Sequence, residues 1–456
     1  MKIRYFITGF ALISLLFFIQ CKHGSSGKIT KIKAKIVNPQ TDKVIISQDF
    51  LMLHADTLKL IGENELNGSV HTPEEGLFIL FVFPEYQTVY LKPNDSLAFH
   101  LNVNEFDESI SFSGSLGYEN NLLMDLFLAN EKESLYFYKH KFDFPPEVFT
   151  HKIDSFHTLK ENMIDDVYRT FDKPSKKFRK IAQLSANSND YILKETYARK
   201  NKKLTLPQNY FNYTQILKQK LADPNVIYMY TFADSYLRRK IVPQQNRQKL
   251  NLEIAHIIEK DIADQAFKNN ILTRYCQRYI HKNHISQIDT VVKTYFKYLT
   301  NKDYQNFCRQ IIQSNKRMRT GISFPATQLL NTNKQTVNTK SLFKDKKILL
   351  SFWDLKQHRN FKTNLKKLKK LKKLYPHVIF LVVNINQDNF DQWTMAVPKD
   401  DEIQYYRLRN RDNWSDIRPF HLSQVYLIDK GQIKQSRLNM YRPDFEKKMH
   451  DFAMEK

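Results

Sequence analysis

Glycine and cysteine are scarce in this chain. Ten glycines and fifteen prolines among 456 residues leave little material for tight turns, and the glycine share is well below the roughly 7% that is usual. No low-complexity tract and no internal repeat occurs, so the chain reads as folded domains with few tight turns rather than as disorder. There is no glycine-rich phosphate loop and no serine-nucleophile motif, and no carboxylate pair can be picked out by position as a glycosidase's. Cysteine occurs at Cys21, Cys276 and Cys308 alone. His281 and His284 follow Cys276 at a spacing that fits no standard zinc site, so neither a metal nor a cofactor is expected. Acidic charge is also short: 71 Lys and Arg stand against 47 Asp and Glu, for a formal net charge of +24. Such a balance attracts anionic partners. Basic residues nevertheless run from end to end, and no nucleic-acid motif occurs, so the expectation is a Lys-rich surface on all faces and no nucleic-acid partner.

The length is too great for one average domain and predicts two or three, and 42% apolar residues suffice to build their cores. "MKIRYFITGFALISLLFFIQC" opens with Lys2 and Arg4, continues with an apolar stretch over Phe10–Ile19 and ends at Cys21. A charged start and a short apolar run predict a secretory signal over residues 1–20 rather than a stable membrane span. Cysteine directly after that run is the mark of a bacterial lipoprotein, with Cys21 the lipidated first residue of the mature protein. "KHGSSGK" then follows, and residues 21–27 read as a polar tether. The expected location is the cell envelope, facing the periplasm and held to the membrane through Cys21. Plain secretion or an uncleaved anchor are the alternatives.

Three regions follow, which make the fold class multidomain α+β. Residues 28–115 read as a β-domain. Ile32, Ala34 and Ile36 alternate with Lys31, Lys33 and Lys35, "LFILFVF" suits a buried strand, and "TVYLKPNDSLAFHLNV" reads as a hairpin about Pro93-Asn94-Asp95. Residues 118–318 carry apolar residues every three or four places and predict an antiparallel helical region, punctuated by "DFPPE" and "KIVPQQ". Residues 320–456 alternate strand and helix: "ILLSFW", "NFKTNLKKLKKLKKLY", "HVIFLVVNIN", "DQWTMAV", "QVYLID" paired with "QIKQSRL", and a terminal helix. That order predicts an α/β domain with a buried parallel strand at "VIFLVV".

Two stretches carry family resemblances. Pro93-Asn94-Asp95-Ser96 and "FSGSLGYENNLL" resemble the small DUF4369-like β-domain that precedes thioredoxin domains in certain envelope lipoproteins. "FPATQLLNTNKQTVNTKSLFKDKKILLSFW" resembles the opening of the TlpA/ResA-like thiol–disulfide oxidoreductases, of the AhpC/TSA-related group. The resemblance implies a thioredoxin-like fold over about the last 130 residues. It also implies where the chemistry would be. Counted from Phe352-Trp353, the nucleophilic cysteine position holds Gln357 and the resolving position Asn360, with His358 and Arg359 between them. The cis-proline position holds Ser423, and a position often filled by a buried acid holds Ser351. Thiol exchange needs an attacking thiolate and a resolving thiol, and no cysteine follows Cys308. The expectation is therefore no catalytic residue and no enzyme activity.

His358 and Arg359 at a helix start, beside Trp353, could bind an anionic or peptide ligand, or be ordinary exposed residues. Cys276 and Cys308 lie in helix-periodic "LTRYCQRYI" and "YQNFCRQII", and either pack in a core or form a disulfide between neighbouring helices. In "LKKLKKLKKLY", Leu365, Leu368, Leu371 and Leu374 are expected on the sheet, with the lysines in solvent. The resulting expectation is a lipid-anchored periplasmic protein whose redox-dead thioredoxin-like domain binds or scaffolds a protein or peptide. One alternative is an oxidoreductase-family enzyme using Cys276, Cys308 or a partner's thiols. Another is a basic envelope component for adhesion or uptake.

Overall fold

The computed structural model describes residues 28–39, 41–83, 85–171, 175–242, 245–353, 358–385, 390–399, 402–409 and 424–455. The chain forms two compact units. One runs through Arg274 and takes in Lys297–Thr300; the other holds Tyr275–Phe296 and Asn301–Lys456. The division falls inside a helix, whereas the sequence suggested breaks near 116 and 319.

The first unit begins with eight strands. They are β1 (Ile29–Val37), β2 (Lys43–Ser47), β3 (Ala55–Lys59), β4 (Glu65–His71), β5 (Gly76–Val82), β6 (Glu85–Leu91), β7 (Ser96–Asn102) and β8 (Ser111–Ser113). They form two four-stranded sheets, ordered β4-β1-β7-β8 and β3-β2-β5-β6. Strict alternation along β1 buries Ile32, Ala34 and Ile36 and exposes Lys31, Lys33 and Lys35. Strand β5 is buried at every position, as an uninterrupted apolar run allows.

The expected hairpin about Pro93-Asn94-Asp95 is corrected. Strands β6 and β7 belong to different sheets, and the turn carries the chain from one to the other. Asn94 takes a left-handed φ of 63°, its N–H donates to the Ile29 carbonyl, and the Lys31 N–H donates to the Asp95 carbonyl. This seats β7 alongside β1 in parallel, with Lys31 facing Ser96.

The helices are α1, a single turn before β8 (Phe106–Ser109), then α2 (Gly117–Lys139), α3 (Pro146–Thr170), α4 (Lys176–Lys200), α5 (Ile227–Lys240), α6 (Arg247–Asp261), α7 (Gln265–Lys282), α8 (Thr290–Tyr298) and α9 (Lys302–Arg317); the end of α7, most of α8 and all of α9 belong to the second unit. Four of the starts follow capping rules. The Ser175 hydroxyl accepts the Phe178 N–H, Asn246 and Asn301 cap α6 and α9, and Pro146 opens α3. Aromatic rings fill the space where α2, α3 and α4 meet, with Phe149 stacked on Tyr197 at 3.9 Å.

In the second unit β9 (Gln328–Asn331), β10 (Thr336–Asn338), β11 (Lys347–Trp353), β12 (Ile379–Asn384), β13 (Gln404–Leu408), β14 (Gln424–Asp429) and β15 (Gln432–Asn439) build one sheet, ordered β10-β9-β13-β12-β11-β14-β15. Strands β11, β12 and β13 run parallel, and β14 lies antiparallel to β11. Helix α10 (Thr339–Leu342) is one turn; α11 (His358–Leu374) joins β11 to β12, α12 (Phe390–Ala396) follows β12, and α13 (Phe445–Met454) ends the chain. The result is a βαβ unit followed by ββα. The β14–β15 hairpin turns on Lys430 and Gly431, with φ of 49° and 82°, the double left-handed geometry that a two-residue hairpin needs. Leu349, Trp353, Phe380, Leu427 and Phe452 share one apolar core with Leu368 and Leu371 of α11.

Candidate functional site

Parallel strands point their carboxyl ends to one edge of a sheet, where ligands of open α/β sheets are usually held. Here β11 and β12 reach that edge together. Ser351 is buried within β11, aligned with Val382 on β12 and Val425 on β14. Two residues on, Trp353 aligns with Asn384, and Asn384 aligns in turn with Arg407 on β13. The Ile385 N–H donates to the Trp353 carbonyl at 3.0 Å, which prolongs the pairing one residue past the end of β12. His358, Arg359 and Asn360 form the first turn of α11. Gln357, Ser423 and Cys21 lie outside the described residues.

Trp353 needs a correction. Expected as a contact for a ligand, its ring is only 1% exposed and stacks on Phe361 at 4.0 Å within the core. Its indole N–H has no hydrogen-bond partner among the described residues, and neither has that of the equally buried Trp393 on α12. Among the described residues, Asn384 and Arg407 are polar groups at this edge, and both are buried. The Arg407 guanidinium lies 5.7 Å from the Phe390 ring and 6.0 Å from that of Trp393, a cation held against aromatic faces. Neither residue was singled out from the sequence. The signal was there in a polar residue closing the apolar run "VIFLVVN" and an arginine inside the strand "QYYRL".

Cys276 and Cys308 come together, both fully buried on α7 and α9, with their thiols in hydrogen-bonding contact. The disulfide that was one expectation is not formed; both thiols are free. Burial pushes the Cys276 thiol well above its ordinary pKa, and the adjoining Cys308 adds to the rise. A thiol held protonated and away from water is a poor nucleophile.

A second polar cluster escaped the sequence reading. Lys160 on α3 is 1% exposed, and its ammonium donates to Glu133 Oε2 at 2.7 Å, Asp190 Oδ1 at 2.5 Å, Asn130 Oδ1 at 3.1 Å and the Ala186 carbonyl at 3.0 Å. Asn189 donates to the same Glu133 oxygen at 2.8 Å, and His157 pairs with Asp190 Oδ2 at 3.0 Å on the side toward solvent. Burial raises the Glu133 carboxyl, and the Asp190 charge raises it further against the pull of Lys160. The hydrogen bond to Asp190 raises the His157 imidazole. Two carboxylates on one ammonium make this an ion triad, whose desolvation cost is offset only by its dense hydrogen bonding.

No helix among the described residues is long and apolar enough to cross a membrane. No group of three or more His, Cys, Asp or Glu among them is arranged to hold a metal ion.

The sequence matches no family model and no curated protein. Solved structures that resemble it include the thioredoxin domain of a thiol-disulfide oxidoreductase from Bacteroides vulgatus, at 20% identity and TM-score 0.24, covering 29% of this chain and 97% of that one. A thioredoxin-like protein from Bacteroides caccae matches at 13% identity and TM-score 0.32, over 59% of this chain and 94% of its own. A thiol peroxidase from Chromobacterium violaceum matches at 17% identity and TM-score 0.24, over 29% and 84%. These structure neighbours are thioredoxin-like and match part of the chain.

Proposed function

We propose that the protein is a lipid-anchored periplasmic component whose C-terminal unit is a thioredoxin-like domain that binds or scaffolds a protein or peptide without thiol exchange. The observation that carries this is the absence of any cysteine after Cys308, in a unit whose βαβ-ββα order is that of a thioredoxin-type sheet. The two remaining thiols support it, since both are buried in helices and Cys276 is held protonated.

Three experiments test the proposal. Purified protein should neither reduce insulin nor exchange disulfides in a glutathione buffer; turnover in either assay would exclude a redox-dead domain. Photocrosslinkers placed at Gln357 and Ser423 in cells should capture a polypeptide. Empty crosslinks from both, with the protein correctly located, would remove the binding role. Radiolabelled palmitate should enter the chain and be lost from Cys21→Ala.

A further inference from the structure

Helix α11 holds two kinds of lysine. Lys367 and Lys372 are tied down. Lys367 pairs with Glu446 at 3.5 Å and lies over the Tyr441 and Phe445 rings, and Lys372 donates to the Pro376 and Val378 carbonyls, both at 2.9 Å. Lys362, Lys366, Lys370 and Lys373 are different. All four are exposed, and no ion pair or hydrogen bond joins them to any described residue. Their spacing of four, four and three residues sets them on one face of the helix, a row about 16 Å long at 1.5 Å per residue. Helix α11 has no acidic residue at all. Four like charges along one row repel one another, and no ion pair with a described residue compensates them. The opposite face is committed: Leu368 and Leu371 are buried in the core, so the helix is not free to insert sideways into a bilayer.

We infer that this row is a docking surface for an anionic lipid bilayer, held by charge rather than by insertion. Lysine suits a fluid array of headgroups, because its ammonium is a compact, hydrated charge on a flexible stem and needs no fixed partner geometry. The row holds no aromatic side chain on which a base could stack, which argues against single-stranded nucleic acid. Leu374, 69% exposed at the end of the helix, adds an apolar contact beside the row. The attraction of the lysines to an anionic surface adds along the row and falls off within a Debye length.

The test uses the full chain and vesicles of phosphatidylcholine with or without an equal part of phosphatidylglycerol. The quantity read is the extra co-sedimentation that phosphatidylglycerol confers. The K362Q/K366Q/K370Q/K373Q variant should lose that increment by about tenfold or more. A control, K31Q/K33Q/K35Q/K302Q, removes the same charge from exposed positions elsewhere and should change it by less than about twofold. Glutamine keeps helix propensity, and an unchanged far-ultraviolet spectrum and melting temperature show that the variant is folded. Equal losses in the two variants would reduce the effect to net charge and overturn the assignment. So would an unchanged increment in the first variant. Loss of duplex DNA binding with vesicle binding intact would give the row to nucleic acid instead.

Discussion

Trp353 and Glu133 show how far single side chains answer to burial. Trp353 fills the junction between β11 and α11, so Trp353→Ala should cost about 3–5 kcal/mol in urea unfolding, as large aromatic truncations in cores do. A cost below about 1 kcal/mol would mean that the ring is not core. Glu133 makes stability depend on pH. Its carboxyl holds its proton more tightly folded than unfolded, so the stability from that proton is full below the ordinary carboxyl pKa. It is then lost as pH rises through the raised folded value. His157, also raised, acts with the same sign, and so does Asp223, which burial pushes up to about 6. Unfolding free energy measured from pH 4.5 upward should therefore fall less steeply in Glu133→Gln than in the natural protein. Parallel curves would refute the assignment. The sequence marked Trp353 as the strand end correctly, but not its burial. An aromatic at a strand–helix junction can face a ligand or the core, and only packing by Phe361 decides which.

Helices and strands were legible wherever their period was clean, and misread where a partner lay far off in sequence. Alternation along β1 and the unbroken run of β5 gave both strands directly. The β6–β7 turn has the chemistry of a hairpin, yet β7 pairs with β1, a choice that no local signal carries. The leucines of α11 recur every three residues, and a 3.6-residue helix turns each successive one by about 60°. That drift explains why Leu368 and Leu371 are buried while Leu374, expected on the sheet, is 69% exposed. Leu368→Ala should cost about 2–5 kcal/mol, and Leu374→Ala should stay within about 0.5 kcal/mol, by chemical denaturation. Lys160 could have been found the same way, because it falls in phase with Phe149, Ile153 and Ile164 on the buried stripe of α3. Replacing it with methionine removes the ammonium between Glu133 and Asp190 and should cost about 3–5 kcal/mol. A neutral Lys160→Met would show that the triad is dispensable.

Among the described residues, both thiols lie inside the fold. Cys276 and Cys308 are fully buried, so a thiol reagent should label neither in the native state and both once the unit unfolds. Labelling in native buffer at the unfolded rate would mean that α7 and α9 open freely. The candidate site was legible in its frame and not in its contents. The positions facing the expected thiol chemistry, Gln357 and Ser423, were counted from the flanking strand and helix motifs. The buried pair Asn384 and Arg407 became visible only when three strands were laid side by side.

Strand β1 sits inside its sheet, between β4 and β7, although it is the first strand among the described residues. A chain delivered amino end first would therefore expose the alternating Ile32, Ala34 and Ile36 well before either neighbour arrives. The parallel partner comes last, after the whole of the other sheet has been made. Folding of this region cannot proceed strand by strand along the chain. Until Asn102 has emerged, β1 is an open edge that must be kept from pairing with another copy.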